Sequence, residues 1–557
     1  MKKIMLLIFL LAGIIRFWQL NAVPQHLTQD EVAVGWNAYS ILKTGRDEWG
    51  ASWPLQFRSV GDYKQPVLIY LTAISESIVG VNEWATRLPV AIFSALTLAV
   101  IYFWTKEIVT VKYRHWGPVW AVLLWTLSPW HIFFSRSGFE AVVALFFVSV
   151  LLLAWAKWIR SPLFTWIWLI IISSGLAVAT YHSAKVYVPV INLGFLWLYR
   201  DRLRQFFGAR SWRQPAFWAS MAVFGLLAYF LLSRFYFGSA LIRGQMTFLK
   251  NDFDYQRALL PAIESIRGFS LAKVFLLVGF WYKRLLDYLD PSWWLADGLG
   301  LALPNVPAQG VIYPLEFSFL LLGGAVWLSP KLLELVIDKK FKPGAMLGWL
   351  LFCGFLPATL ANNAKHALRS LQALPVIYLL ILLGGLATWH KLKTGRTKTL
   401  FLVLVLLGYV WGIVRLGDNY LIHYPIQLSE TRHYPWAEAA KIATQLAGDF
   451  DEVIVDPRFG TQGPYAVGVP HYYFLFYSQF DPQQYQLGAD RDVGAIDYSK
   501  FKFRQINWQD ELERHRHKLY VGSPWSFLLK TIPEDKIVWR QTFRNGVSGL
   551  IIVDGNY

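Results

Sequence analysis

Residues 66–80 read Pro-Val-Leu-Ile-Tyr-Leu-Thr-Ala-Ile-Ser-Glu-Ser-Ile-Val-Gly, and the threading of this stretch decides the orientation of the whole fold. It is apolar but short, and it carries Glu76. If it crosses a bilayer, everything downstream is inverted relative to a chain in which it lies along the surface. Further apolar runs fall near 4–20, 86–105, 117–134, 139–156, 163–180, 184–199, 216–235, 312–329, 345–360, 367–389 and 398–416. A run of about 17–25 apolar residues spans the hydrocarbon core as a helix. With 55% hydrophobic, 17% aromatic and only 16% charged residues in 557, the chain reads as a polytopic α-helical membrane protein.

The basic residues settle the threading. With 66–80 on the surface and the N-terminus cytoplasmic, one face collects Lys106, Lys112 and Arg114, then Lys157 and Arg160, then Arg200, Arg202, Arg204, Arg210 and Arg213. The same face takes Lys331, Lys339, Lys340 and Lys342, and then Lys391, Lys393, Arg396 and Lys398. A spanning 66–80 would put all of them outside, against Lys2 and Lys3. The positive-inside rule therefore predicts about eleven transmembrane helices in the cell (cytoplasmic) membrane, with 66–80 as an amphipathic or re-entrant interfacial helix. The first run continues through Arg16-Phe17-Trp18 with no small-residue cleavage site, so it reads as a retained span rather than a signal peptide. The net charge of +17 follows this loop pattern, and the Trp and Tyr content suits interfacial belts, so no nucleic-acid partner is expected. A lone cysteine, Cys353, excludes a disulfide framework within the chain.

The expected division is a transmembrane module over 1–417, with outer loops 21–85 and 236–311, followed by a small extracytoplasmic α/β domain over 418–557. In the latter, 437–447 has helical spacing, 452–456 and 518–522 read as strands, and 542–554 reads as a hairpin turning at Asn545-Gly546. There are no internal repeats.

Polar residues of reactive type gather on the outer face. Asp30 and Glu31, adjacent and just past the first span, could act as a general base or hold a hard metal. They could equally cap a helix starting near Val32. Lys64, with Arg58 upstream, starts the interfacial helix where Pro66 suits its first turn, a place fit for a lipid phosphate or for simple anchoring. Arg136 and Glu140 lie where one span exits and the next enters, and could pair with each other. His182 with Lys185, and Lys365-His366 with Arg369, occupy two further outer turns. Any one of these is weak alone; together they describe a site for a phosphorylated substrate with an acid–base residue. No Walker loop, dinucleotide fingerprint, serine elbow or zinc spacing is present.

The order Asp30-Glu31, Lys64-Gln65-Pro66, then Gly80-Val81-Asn82-Glu83-Trp84-Ala85-Thr86-Arg87-Leu88-Pro89 resembles the membrane-embedded GT-C glycosyltransferases. It is most similar to glycosyltransferase family 39, including the protein O-mannosyltransferases and the aminoarabinose transferases. Leu127-Ser128-Pro129-Trp130-His131 to Glu140, Thr180-Tyr181-His182-Ser183-Ala184, Lys365-His366-Ala367-Leu368-Arg369-Ser370-Leu371 and the tail around 480–486 look like bacterial members.

The resemblance implies the GT-C fold and an inverting hexosyl- or pentosyltransferase that draws on a polyprenyl-phosphate-linked sugar. It assigns Asp30 to the acceptor nucleophile, Glu140 to a second acidic role or a divalent cation shared with Asp30, and Lys64 to the carrier phosphate. Glu31 stands beside Asp30 as a further catalytic candidate. Arg58, Arg369, His366, His182 and Lys185 are the candidates to support the phosphate. Lys64-Gln65-Pro66 departs from the usual Lys-Pro-Pro, and Glu140 stands where Asp is usual, so a divalent metal ion is the one cofactor left open. The implied partners are membrane lipids, the lipid-linked donor, and a protein, lipid or glycan acceptor. A ligase or polymerase of lipid-diphosphate-linked glycans shares many of these features. A transporter would place its charges at the bilayer midplane in paired repeats, and neither is seen.

Overall fold

The computed structural model describes residues 2–59, 62–208, 242–266, 270–299, 309–362, 365–467, 469–488, 496–512 and 517–556, with Gly268 and scattered positions between 218 and 237. Half of the apolar run expected at 216–235 lies outside the described residues. Two compact units form: residues 1–18 with 90–417, and residues 19–89 with 418–557. Segment 19–89 thus packs with the C-terminal region.

The first unit is helical. It holds α1 (Lys2–Phe17), the later part of α4 (Glu83–Ile108), α5 (Gly117–Leu127), α6 (Pro129–Ser135), α7 (Glu140–Arg160), α8 (Phe164–Val178) and α9 (Ala184–Leu198). Helices Pro314–Trp327, Pro343–Thr359, Leu374–Lys391 and Gly395–Asp418 follow. Among the described residues four helices are long and apolar enough to cross a membrane, or five if a pair bent by 112° around Ser329 counts as one span. Several other expected spans form helices of 10–17 residues. The reason is legible in part: Ser128-Pro129 divides the run 117–134 into α5 and α6, because proline cannot donate to the preceding turn. Small residues bring two later helices together. A Cβ at Gly323 would lie 1.9 Å from the Leu380 carbonyl oxygen, and one at Gly384 would lie 2.1 Å from that of Phe319. The chain is a multi-pass membrane protein.

The second unit mixes helix and sheet. Its first part holds α2 (Gln29–Thr44), the hairpin β1 (Phe57–Ser59) and β2 (Asp62–Lys64), and α3 (Pro66–Val79). At 14 residues α3 is about 21 Å long, short of the roughly 30 Å hydrocarbon core. Pro66 occupies its first turn, and Leu68, Ile69, Thr72, Ala73, Ser75 and Glu76 are buried. The C-terminal part carries a five-stranded sheet in the order β6-β3-β7-β9-β8. Its strands are β3 (Glu452–Val455), β6 (Phe501–Phe503), β7 (Lys518–Gly522), β8 (Ile537–Thr542) and β9 (Ser548–Asp554). β3 runs parallel to both β6 and β7, and β9 is antiparallel to β7 and β8. A small ribbon, β4 (Arg458–Phe459) with β5 (Tyr465–Ala466), leaves β3. Helices Trp436–Leu446 and His471–Tyr477 pack with α2 and the sheet around a core that includes Trp36, Trp436, Val453, Tyr473, Phe474 and Ile552.

Candidate active site

α2 begins at Gln29, earlier than the start expected near Val32, because Thr28 caps it. The Thr28 hydroxyl accepts from the Glu31 amide at 3.4 Å, and the Thr28 amide donates to Glu31 Oε2 at 2.9 Å. This reciprocal box satisfies donors that a helix end would otherwise leave bare. Asp30 and Glu31 therefore sit in one helical turn, about 100° apart around the axis, and they meet opposite environments.

Glu31 is fully buried. Arg87 Nε donates to its Oε1 at 2.8 Å, and Arg432 Nη2 donates to Oε2 at 3.1 Å. Both guanidiniums also bind the incoming backbone: Arg87 reaches the carbonyls of Leu20, Pro24 and His26, and Arg432 those of Gln25 and His26. Burial alone would raise the Glu31 carboxyl, but the two cations and the cap outweigh it and bring it down to about 2. A carboxylate so enclosed ties the start of α2 to the backbone that leads into it. Both Glu31 oxygens thus have partners within the protein, Oε1 from Arg87 and Oε2 from Arg432 and Thr28.

Asp30 is the outward partner. Its side chain is 55% exposed, and Oδ1 lies 2.6 Å from Nζ of Lys64, which is 4% exposed. The second unit thus brings two sequence candidates, 34 residues apart, into one charge-assisted hydrogen bond. Lys64 arrives at the end of β2, paired in register with Phe57. The hairpin is tied to α2 through Tyr472, whose hydroxyl donates to Glu48 Oε1 at 2.6 Å and meets Ser59 Oγ at 3.0 Å, while Asn37 donates to the same Glu48 oxygen. Arg58, on β1, stacks its guanidinium 4.1 Å from the Trp49 ring centroid, and its carbonyl accepts from the Trp49 indole at 3.0 Å.

Further residues complete this surface. Gln29 Nε2 lies 3.3 Å from Nε2 of His433, whose Nδ1 is 3.1 Å from the Tyr473 hydroxyl. His433 holds a left-handed φ of 56°. Burial and the Arg432 charge push its pKa down to about 4, so it is neutral at physiological pH. Glu83 is paired to His26 at 3.1 Å and accepts from Tyr477 at 2.7 Å; burial would raise its carboxyl, and these partners hold it below the usual range. The sequence pattern assigns no role to Arg87, Arg432, His433 or Glu83. The Thr28-x-x-Glu31 spacing was the one local signal that could have pointed to the box.

The other sequence candidates belong to the first unit. Glu140 opens α7 in its first turn. Arg136 donates to the carbonyls of Ile15 at 2.5 Å and Trp18 at 2.6 Å, closing the end of α1. His182 and Lys185 flank the turn into α9, where the Lys185 carbonyl accepts from Tyr236. Arg369 donates to Asn362. His366 is pushed down to about 3 by burial and by Arg369, so it offers a neutral ring rather than a cation. Lys365 instead pairs with Asp290 at 2.7 Å. Among the described residues no three His, Cys, Asp or Glu side chains gather to hold a metal ion. A divalent ion on Asp30 Oδ1 would meet the Lys64 ammonium, so the surroundings of that oxygen suit an ammonium better than a metal.

No family model matches the chain, and no curated protein matches it in sequence. The likeness is structural. ArnT from Cupriavidus metallidurans in the apo state matches with a TM-score of 0.50 at 14% identity, over 98% of this chain and 97% of that one. Archaeal oligosaccharyltransferase AglB from Archaeoglobus fulgidus, in complex with an inhibitory peptide and a dolichol-phosphate, matches with a TM-score of 0.51 at 12% identity. That match covers 94% of this chain and 69% of the other. At such identities the likeness is one of fold: this chain shares the membrane GT-C fold.

Proposed function

We propose that this chain is an inverting glycosyltransferase that moves a sugar from a polyprenyl-phosphate carrier to an acceptor on the extracytoplasmic side of the membrane. The observation that carries the reading is the exposed Asp30 held 2.6 Å from the buried Lys64, at the start of a helix locked by Glu31. The acceptor hydroxyl or amine attacks the anomeric carbon from the face opposite the phosphate. Asp30 takes the proton that the nucleophile loses, and the carbon–oxygen bond to the carrier breaks as polyprenyl phosphate leaves with the electron pair. The Lys64 ammonium has three donors, so it can orient Asp30 and still donate to a phosphate oxygen as charge develops there. Arg58, Arg369, Lys185 and His182 are the remaining candidates for the phosphate, with His366 as a neutral hydrogen-bonding group. Glu140 is the second acid.

The same reading sets about eleven spans, a cytoplasmic N-terminus and an outer C-terminal region. The shortness of α3 and its packing on α2 support leaving 66–80 out of the span count. A transfer from a lipid diphosphate is the second reading, favoured by the likeness to an oligosaccharyltransferase.

The test is transfer of label from polyprenyl-monophosphate sugars to an envelope fraction by the protein in lipid, for wild type and Asp30→Asn. Loss of transfer in the variant establishes class and base together. Transfer that survives Asp30→Asn removes Asp30 as the base. Transfer from diphosphate donors alone selects the second reading.

A further inference from the structure

The carboxyl edge of the C-terminal sheet carries a second cluster with no part in that chemistry. β3 has parallel neighbours on both sides, β6 and β7, and ligands of open α/β sheets bind where chains leave the carboxyl ends of such strands. The exits here are stiff. Asp456, fully buried at the end of β3, accepts from Arg458 Nη2 at 2.6 Å and from the Ile506 amide at 3.0 Å. Ser523, just past β7, donates to the Arg458 carbonyl at 2.7 Å. On this frame stand two open rings, Trp525 at 44% and Tyr465 at 41% exposure.

Gly460 lies between the two rings. Its carbonyl accepts from the Trp525 indole at 2.7 Å. Its φ is +128°, and a Cβ there would come within 2.9 Å of the Tyr465 ring. The indole N–H is thereby spent within the protein, and what Trp525 leaves exposed is carbon surface of its ring. The surround is polar: Gln462 is exposed, and Thr461 donates to Glu430 at 2.5 Å. Two open aromatic rings beside amide, hydroxyl and carboxylate groups suit a pyranose, whose C–H face is apolar and whose edge is hydroxyl. A lipid tail would want a continuous apolar surface in place of that rim. The cluster is also joined to the catalytic side of the same unit. Tyr465 meets Phe459 at 6.0 Å between centroids, Phe459 meets His433 at 5.8 Å, and His433 contacts Gln29, the neighbour of Asp30.

We infer that Trp525 and Tyr465 form a carbohydrate-binding subsite that holds the non-reacting part of a glycan acceptor. This rests on the transferase reading above and narrows its acceptor to a sugar chain. Binding energy taken from parts of a substrate remote from the reacting centre can be used to orient the reacting group.

The experiment is binding of the full-length protein in detergent to labelled cellohexaose, chitohexaose, maltohexaose, mannohexaose and xylohexaose, with a Ser/Thr-containing decapeptide beside them. Wild type is expected to bind at least one oligosaccharide, with affinity falling about tenfold in Trp525→Ala and again in Tyr465→Ala. Trp525→Phe, which keeps a ring but loses the tie to Gly460, should stay within about threefold. Three results overturn the inference: no oligosaccharide bound by wild type, affinity unchanged in both alanine variants, or binding of the peptide alone. Release of polyprenyl phosphate from donor is read in parallel. Ring-dependent oligosaccharide binding without that release sinks the transferase reading and leaves the sugar subsite standing. Release and transfer that ignore both rings sink the subsite and leave the transferase.

Discussion

Glu31→Gln is the substitution that separates positioning from chemistry. The folded protein holds the Glu31 carboxyl at about 2 against an ordinary value of 4.5. Each unit is worth about 1.4 kcal/mol, so the ionised form contributes ~3 kcal/mol. That agrees with the roughly 3–5 kcal/mol lost when one partner of a buried ion pair is removed. Glutamine keeps the shape but removes the carboxylate that Arg87 and Arg432, both buried, share. The folded value is depressed, so the contribution is complete above pH 4.5 and is lost as pH falls through that value towards 2. Hydrogen exchange of the full-length protein over residues 19–35 reads the local opening. At pH 7, Glu31→Gln should lose about a hundredfold in protection there, and the gap between variant and wild type should close below pH 4.5. Protection within about threefold of wild type at pH 7 would refute the reasoning, because it would mean that the two arginines do not depend on this carboxylate.

Asp30→Asn should behave in the opposite way. Turnover falls by about 10²–10⁴ in a donor-release assay, while protection over 28–35 stays near wild type, since the Asn oxygen still accepts from Lys64 and the exposed residue 30 side chain lies outside the Thr28–Glu31 box; a matching loss of protection would make Asp30 structural. Lys64→Gln should lower donor turnover by about 10²–10³, and unchanged turnover would detach Lys64 from both Asp30 and the phosphate. His366, held at about 3 against 6.5, stabilises the fold in its neutral form, and that contribution is complete above pH 6.5 and eroded below it. His366→Gln should therefore match wild type in thermal inactivation at pH 7.5 and outlast it by ~2 kcal/mol at pH 5; parallel profiles would place His366 in water. Cys353 is buried, so single reporter cysteines test the topology. Asn545→Cys should label from outside intact cells and Lys339→Cys only after permeabilisation, and the reverse pattern would invert the fold.

Some of the second unit was legible because its signals are local. β7 has the limits that the apolar run Lys518–Gly522 suggested, and the β8–β9 turn falls at Asn545-Gly546, where Gly546 adopts a φ of 86°. Helix 436–446 follows its spacing within one residue. Span lengths were less legible, because Ser128-Pro129 cuts an apolar run that hydropathy alone reads as continuous.

The site shows the limit most clearly. Asp30 and Glu31 are adjacent in sequence and alike in chemistry, so sequence offers them the same choices: base, metal ligand or cap. Once Thr28 starts the helix, successive residues point about 100° apart, and the two cannot share an environment. What decides between them lies far along the chain. Arg87 is 56 residues from Glu31 and Arg432 is 401, so the inward side is set by tertiary packing that no local window contains. Lys64 then marks the outward side by its bond to Asp30. Glu31 completes the capping box begun by Thr28 and is anchored by both arginines, and its enclosure fixes the turn from which Asp30 projects.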